Sequence, residues 1–193
     1  IALYGLEQEL TLWKSDPEYI DCCKILQSSI KTYFKQQTAI SNKLHSLKSK
    51  GAEYKVLVQS LQRQKKAKAT EIKCLEEALE ALIKDNEPVM LTRITSIPGI
   101  GRKTAIFLIV SSNAFKNFES AAQLKSFYGL APTVRVSGSS VKGVSRISKS
   151  GNALSRNHLF LCSFTASNCN PTCKALYERI VAKGKSKKLA LIA

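Results

Sequence analysis

The segment from Thr133 to Lys149 holds most of the side chains in this chain that could act on a phosphodiester: serines and glycines interleaved with Arg135, Lys142, Arg146 and Lys149. Two chemistries suit it. In one, the segment is a loop whose cations contact phosphates and whose serines are merely small and polar. In the other, a serine hydroxyl attacks a phosphodiester while cationic groups neutralise the charge that builds on the non-bridging oxygens. Residue types alone favour the first, because a hydroxyl is a poor nucleophile at neutral pH and no histidine or carboxylate lies nearby in sequence to activate it. Activation would have to come from arginines, from another domain or from another subunit.

The elements that would position this segment begin upstream, at ITSIPGIGRKTAIFLIV. Apolar Ile94 and Ile97 close one short helix, Pro98-Gly99-Ile100-Gly101 makes a turn, and Thr104 to Val110 supplies an apolar second helix. The spacing predicts a helix-hairpin-helix over residues 94–110. Its glycines allow positive φ or close backbone approach, and the free amides opening the second helix form an anion site. Such a turn holds a backbone phosphate without reading sequence. On this reading Gly99, Gly101, Arg102 and Lys103 make nucleic-acid backbone contacts. The alternative is an αα-corner that happens to use glycine.

The charge distribution points the same way. Of a formal net charge of +16, residues 1–90 carry 14 Lys/Arg against 12 Asp/Glu, whereas residues 91–193 carry 16 Lys/Arg against Glu119 and Glu178 alone. No carboxylate lies between Ser120 and Tyr177, a span that also includes Lys125, Arg156 and Lys174. A surface of that sign implies a polyanionic partner, with nucleic acid ahead of an acidic membrane. No apolar run is long enough to span a membrane and no signal peptide is visible. The six cysteines are dispersed and read as reduced residues of an intracellular protein. Cys169 and Cys173 are four apart, but His45 and His158 supply no second half of a zinc site.

In chain order, residues 1–16 read as the remnant of an upstream domain, and Ile1 in place of Met is expected of a fragment or processed product. Residues 17–88 read as a helical hairpin. Asp16 is a candidate N-cap with Pro17 at the first helical position, and Cys23, Leu26, Ile30, Tyr33, Gln37, Ile40, Leu44 and Leu47 alternate steps of three and four as a heptad seam. A helix over 17–50 would be about 50 Å long. A second helix after Gly51 carries Tyr54, Leu57, Leu61, Ile72, Leu75, Leu79 and Leu82, with QRQKKAKATE polar on all sides between them. So narrow a stripe predicts an antiparallel pair that also meets another chain, giving a homo-oligomer through residues 17–88; a compact single-chain bundle is the alternative. Residues 89–193 then form the basic domain. It comprises the hairpin, a helix over Phe115–Tyr128, the Ser/Gly segment as short strands or an ordered loop, a helix after Gly151-Asn152 with Leu154, Leu159, Phe160 and Cys162 to Phe164 facing the core, a helix over Pro171–Ala182, and a basic tail of Lys183, Lys185, Lys187 and Lys188. The predicted fold class is mainly α: a long helical hairpin, then a small helical domain with a basic Ser/Gly loop.

The runs GLAPTVRVSG and ISKSGNALSR, with Ile97-Pro98-Gly99-Ile100-Gly101, Thr104 and Ala105 before them, resemble the C-terminal domain of the bacterial insertion-sequence transposases numbered one hundred and ten. The matching residues are Gly129, Leu130, Pro132, Ser137, Gly138, Ile147, Ser148, Lys149, Gly151, Asn152, Arg156 and Leu159. The coiled-coil segment fits the same family, so the resemblance covers nearly the whole chain.

The resemblance implies a recombinase guided by a structured bridge RNA, bacterial and cytoplasmic at the nucleoid. Its catalysis combines an Mg²⁺-binding, RuvC-like N-terminal domain with a nucleophilic serine from this C-terminal domain. By position that serine is Ser137, with Ser139 and Ser140 as alternates, forming a transient 5′-phosphoserine link to DNA. Arg135, Lys142 and Arg146 are candidates for phosphate neutralisation, and Lys149 and Arg156 join them as nucleic-acid contacts. Ser155 stands where the family pattern has an apolar residue. The RuvC-like part is absent from this sequence, so the chain by itself is expected to hold no metal and to turn over no substrate. A non-catalytic DNA- or RNA-binding scaffold with the same hairpin and loop is the competing expectation.

Overall fold

Two 32-residue helices, α1 (Glu18–Ser49) and α2 (Lys55–Asn86), lie against each other along their length. They belong to a computed structural model that describes residues 15–49, 54–133, 136–137, 141–142 and 146–193. Tyr19 at the start of α1 reaches Glu87 just past α2, and Tyr33 meets Lys68, so the pair is antiparallel. The heptad seam is the packed face: Cys23 is buried and the other seven positions from Leu26 to Leu47 are partly buried. On α2, Leu61, Ile72, Leu79 and Ile83 are buried, whereas Tyr54 and Leu57 at the far end are exposed. The polar stretch between Leu61 and Ile72 is not uniformly solvated. Lys68 is its one partly buried side chain, and its Nζ sits 4.2 Å from the Tyr33 ring centroid. Its methylene stem fills the seam where an apolar residue is missing while the ammonium meets the ring face.

The base of this hairpin is built into the core of the next segment. Cys23, Leu79 and Ile83 pack with Leu91 and Ile94 of α3 (Pro88–Thr95) and with Ala105, Ile106, Ile109 and Val110 of α4 (Arg102–Ser111). Each large aliphatic side chain withdrawn from water there contributes about 1.5 to 3 kcal/mol. Pro88 opens α3 at a position whose amide needs no partner. α4 is apolar on every side because it runs through the middle, with all six residues from Ala105 to Val110 buried.

Two local departures from the sequence expectation have physical causes. Asp16 does not cap α1. The Pro17 carbonyl starts the helix, and the Asp16 carboxylate instead accepts from Asn113 Nδ2 at 2.8 Å and pairs with Lys24. The helix expected from Phe115 is only α5 (Ala121–Phe127), because Asn113, Ala114 and Phe115 form a left-handed turn with φ of 51°, 52° and 62°. Ser120 then restarts the helix by accepting from the Gln123 amide. The turn also carries Lys116 to Glu87 at 2.6 Å, beside Tyr19.

After α5, Gly129 (φ +67°) turns the chain, and the Leu130 amide reaches back to the Lys125 carbonyl at 2.9 Å. Among the described residues, four two-residue strands follow as two antiparallel pairs. β1 (Pro132–Thr133) pairs with β4 (Arg146–Ile147), and farther along the arm β2 (Val136–Ser137) pairs with β3 (Val141–Lys142). The chain closes with α6 (Ala153–Cys169), α7 (Pro171–Ala182) and α8 (Lys187–Ile192), each started by an Asn or Ser cap. α6 packs on α4, and α8 folds back on both α6 and α7. Of the residues expected to face the core on α6, Cys162 does, but Phe164 is 61% exposed, and Leu161 beside it is also exposed. Leu161 and Phe164, three residues apart, share the face of α6 opposite the buried Ser155, Cys162 and Ala166.

Candidate nucleic-acid interface

Two groups of expected contact residues come together at different points along α6, which acts as their common support. The first is the α3–α4 turn. Gly99 has φ +106°, and a Cβ there would lie 2.6 Å from Ala166 Cβ and 2.8 Å from Ala166 Cα on α6. Gly99 is therefore required for packing, since both its φ and its clearance exclude a side chain. Gly101 differs. It is the N-cap of α4 with an ordinary extended backbone, and a Cβ there would meet nothing within 4 Å. The first hydrogen bond of α4 runs from the Ala105 amide to the Gly101 carbonyl, at 3.0 Å. The amides of Arg102, Lys103 and Thr104 thus face outward at the positive end of the helix dipole.

The side chains of Arg102 and Lys103 turn back onto the helical hairpin. Arg102 donates to Glu80 at 2.9 Å, and Lys103 donates to both carboxylate oxygens of Glu76 at 2.7 Å. Lys84 also pairs with Glu80; its hydrogen bond, ahead of the charge of Arg102, holds the Glu80 carboxyl below its usual range. These cations are mostly exposed, so each pair contributes little to stability. What they do is place two carboxylates beside an otherwise cationic helix start. Sequence reasoning identified the cations and missed the glutamates, which lie more than 20 residues upstream and carry no local signal.

The second group is the root of the β-arm. Gly129 and Gly151 cross backbone to backbone: a Cβ on Gly151 would lie 2.1 Å from the Phe127 carbonyl oxygen, and one on Gly129 would lie 2.6 Å from the Gly151 nitrogen. The Arg156 guanidinium donates to the Gly151 carbonyl at 2.7 Å and to the Tyr128 carbonyl at 3.2 Å. Lys149 (φ 60°) donates its amide to the Gly129 carbonyl, and Ser148 donates to that of Ala131. Arg156, expected as a nucleic-acid contact, is thus half-buried and engaged as a clamp that joins the end of α5 to the start of α6. Asn152 caps α6 by accepting from the Leu154 amide. Arg146 and Lys149 remain exposed at this root.

Along the arm, the backbone of Ser137 pairs with Val141 and that of Lys142 with Val136. Arg135, Ser139 and Ser140 lie outside the described residues. On α6, His158 stacks on Phe107 with ring centroids 4.4 Å apart, and its Nδ1 lies 3.5 Å from Thr104 Oγ1, so it is a packing residue between α4 and α6. Burial pushes its pKa below the ordinary histidine range. Ser155 is fully buried, and its Oγ has no partner among the described residues. Among the described residues no three His, Cys, Asp or Glu side chains converge as a metal site, and no helix is long and apolar enough to cross a membrane.

Comparison with known proteins covers this same region. Residues 91–178 match the model of the family described as "Transposase IS116/IS110/IS902 family". Over 139 residues, 71% of this chain, it is 34% identical to the "Insertion element IS110 uncharacterized 43.6 kDa protein" of Streptomyces coelicolor, of which it covers 33%. It is 38% identical over 101 residues to the "Pilin gene-inverting protein" of Moraxella bovis, covering 52% of this chain and 31% of that one. It is also 38% identical over 84 residues to the "Transposase for insertion sequence element IS1111A" of Coxiella burnetii, covering 44% of this chain and 22% of that protein. The chain spans a third or less of the length of these relatives. Over residues 91–178 the chain is thus similar to the transposases of the IS116/IS110/IS902 family.

Proposed function

We propose that this chain is the DNA-handling part of a transposase or recombinase, and that Ser137 is the nucleophile of its strand-exchange chemistry. The observation that carries the reading is the construction of the arm root. Gly129, Gly151 and Arg156 fix the base of a segment that includes Ser137 by backbone crossings and charged hydrogen bonds. So much local constraint beneath a segment in which serines, glycines and cations outnumber the valines and isoleucine serves to present the segment rather than to fill a core.

The step is a transesterification. Ser137 Oγ attacks a backbone phosphorus, an Oγ–P bond forms, the P–O3′ bond breaks, and the serine proton ends on the departing 3′ oxygen. One phosphoester replaces another, so a different 3′-hydroxyl can reverse the step and rejoin strands without an external energy source. Arg135, Lys142 and Arg146 are suited to neutralise the phosphate as charge builds. The helix-hairpin-helix over 94–110 holds the DNA backbone through the amides after Gly101, with Arg102, Lys103 and Lys149 nearby. The hairpin of residues 17–88 is the module through which copies of the chain associate. Ile25, Phe34, Tyr54 and Val56 leave apolar surface outside its internal seam, in support of that role. A guide RNA is the expected second partner of the basic domain. Mg²⁺, which the family resemblance implies for a RuvC-like domain, has no fitting donor set among the described residues, and no step here is routed through it.

A non-catalytic scaffold is favoured by one fact: from Ser120 to Tyr177 the sole carboxylate or imidazole is His158, which is packed against Phe107 rather than beside the arm. Ser137→Ala in the full-length parent separates the two. Lost strand exchange with retained DNA binding is expected of the nucleophile, and undiminished exchange is expected of the scaffold.

A further inference from the structure

Past the matched region the chain places four lysines, Lys183, Lys185, Lys187 and Lys188, within six residues. They do not hang on a loose tail. The Gly184 amide bonds the Val181 carbonyl at 2.9 Å with φ +74°, Ser186 caps α8 by accepting from the Leu189 amide, and α8 buries Ala190 against its neighbours. All four lysines are exposed, and none of their ammonium groups has an acceptor among the described residues. Cations that do meet a carboxylate elsewhere on the molecule include Lys24 with Asp16, Lys84 with Glu80, Lys103 with Glu76 and Lys116 with Glu87. The only carboxylate from residue 120 to the end is Glu178.

Folding does not account for this placement. Lys183 at the C-terminal end of α7 is favourable to that helix, but Lys187 and Lys188 occupy the first turn of α8, where the helix dipole opposes them. A charge arrangement that works against its own helix is explained by what it meets outside the chain. We infer that the α7–α8 turn is a second docking surface for duplex DNA, contacting the phosphate backbone alone. Lysine supplies a point charge instead of a planar fork, and residues 183–188 contain no aromatic or amide side chain that could stack on a base or read its edge. Ala190 is the buried residue of α8, Leu189 and Ile192 are exposed, and six residues are too few for an interfacial membrane helix. The surface rests on the proposed role in handling DNA but not on the chemistry of Ser137.

The test compares the chain with its Lys183→Gln/Lys185→Gln/Lys187→Gln/Lys188→Gln variant, binding labelled 30-base-pair duplexes of two unrelated sequences across a salt series. Each lost phosphate contact lowers the slope of log affinity against log salt by about 0.9. The expected result is a slope reduced by about 2 to 4, an affinity reduced about tenfold or more at low salt, and equal losses on both duplexes. A variant with unchanged slope and affinity, on a parent that binds DNA in a salt-dependent way, overturns this surface and leaves the serine reading intact. A loss seen only with duplex RNA or with anionic vesicles overturns the assigned partner. Adduct formation by Ser137, measured separately, distinguishes failure of this surface from failure of the proposed function.

Discussion

Gly129 and Gly151 touch through their backbones, so that a Cβ on either would lie 2.6 to 2.8 Å from the backbone nitrogen of the other. One glycine follows α5 and the other precedes α6, and the whole β-arm is the excursion between them. Gly151→Ala puts a methyl group 2.1 Å from the Phe127 carbonyl oxygen, a backbone atom that cannot swing aside. We expect it to cost about 3 kcal/mol, read as a lowered melting temperature. A cost below about 1 kcal/mol would show that the crossing is looser than described.

The two glycines of the α3–α4 turn should separate in the same assay. Gly99→Ala collides with Ala166 and requires a side chain at φ +106°, so it unfolds the turn and says nothing about phosphate. Gly101→Val has room and an ordinary φ, and changes stability by less than about 1 kcal/mol. If a phosphate approaches the amides of α4, Gly101→Val nevertheless weakens DNA binding severalfold. Unchanged affinity in the folded variant removes the anion site from the account.

Glu76 pairs with Lys103 and Glu80 with Arg102, so on the proposed reading they would compete with phosphate for these cations. Replacing both glutamates with glutamine should raise affinity for DNA severalfold and steepen its salt dependence, while moving stability by less than about 1 kcal/mol because the pairs are exposed. Weaker binding by this variant would mean that the glutamates position the cations for DNA rather than withhold them.

His158 gives a pH dependence with a defined sign. Burial against Phe107 lowers its folded-state pKa below the unfolded value near 6.5, so the folded state resists protonation. The stability from burying the neutral ring is fully present above pH about 6.5 and declines as pH falls toward the folded-state pKa. His158→Phe keeps the stacking and removes the group, so its melting temperature should fall less than that of the parent between pH 7.5 and 5.5. Parallel curves would contradict the assignment.

The sequence made the helices, their order and the heptad seam legible because each rests on short-range periodicity. Cys23 to Leu47 needed only steps of three and four, and Pro171 to Ala182 was bounded by its own proline and caps. Three features were not legible, for physical reasons. The left-handed turn at Asn113 to Phe115 contains no glycine to mark it, so the next helix was read as starting at Phe115 instead of Ala121. The Arg156 clamp depends on carbonyls 5 and 28 residues away, so a cation that looked free for phosphate is engaged by backbone. The lysines of 183–188 were read only as a basic tail, without the helix α8, because the burial of Ala190 against its neighbours is set by tertiary packing. The glycines Gly129 and Gly151 were recognisable as motif residues, but only the crossing shows why neither tolerates a side chain.

The central claim is that Ser137 becomes covalently joined to DNA. On the proposed reading, a full-length transposase containing this chain would be incubated with the proposed guide RNA, Mg²⁺ and end-labelled element-junction DNA, then denatured and resolved by gel. The account predicts a slowly migrating protein–DNA adduct that is abolished by Ser137→Ala while DNA binding persists. Efficient recombination with no adduct, or an adduct that survives Ser137→Ala, would contradict it.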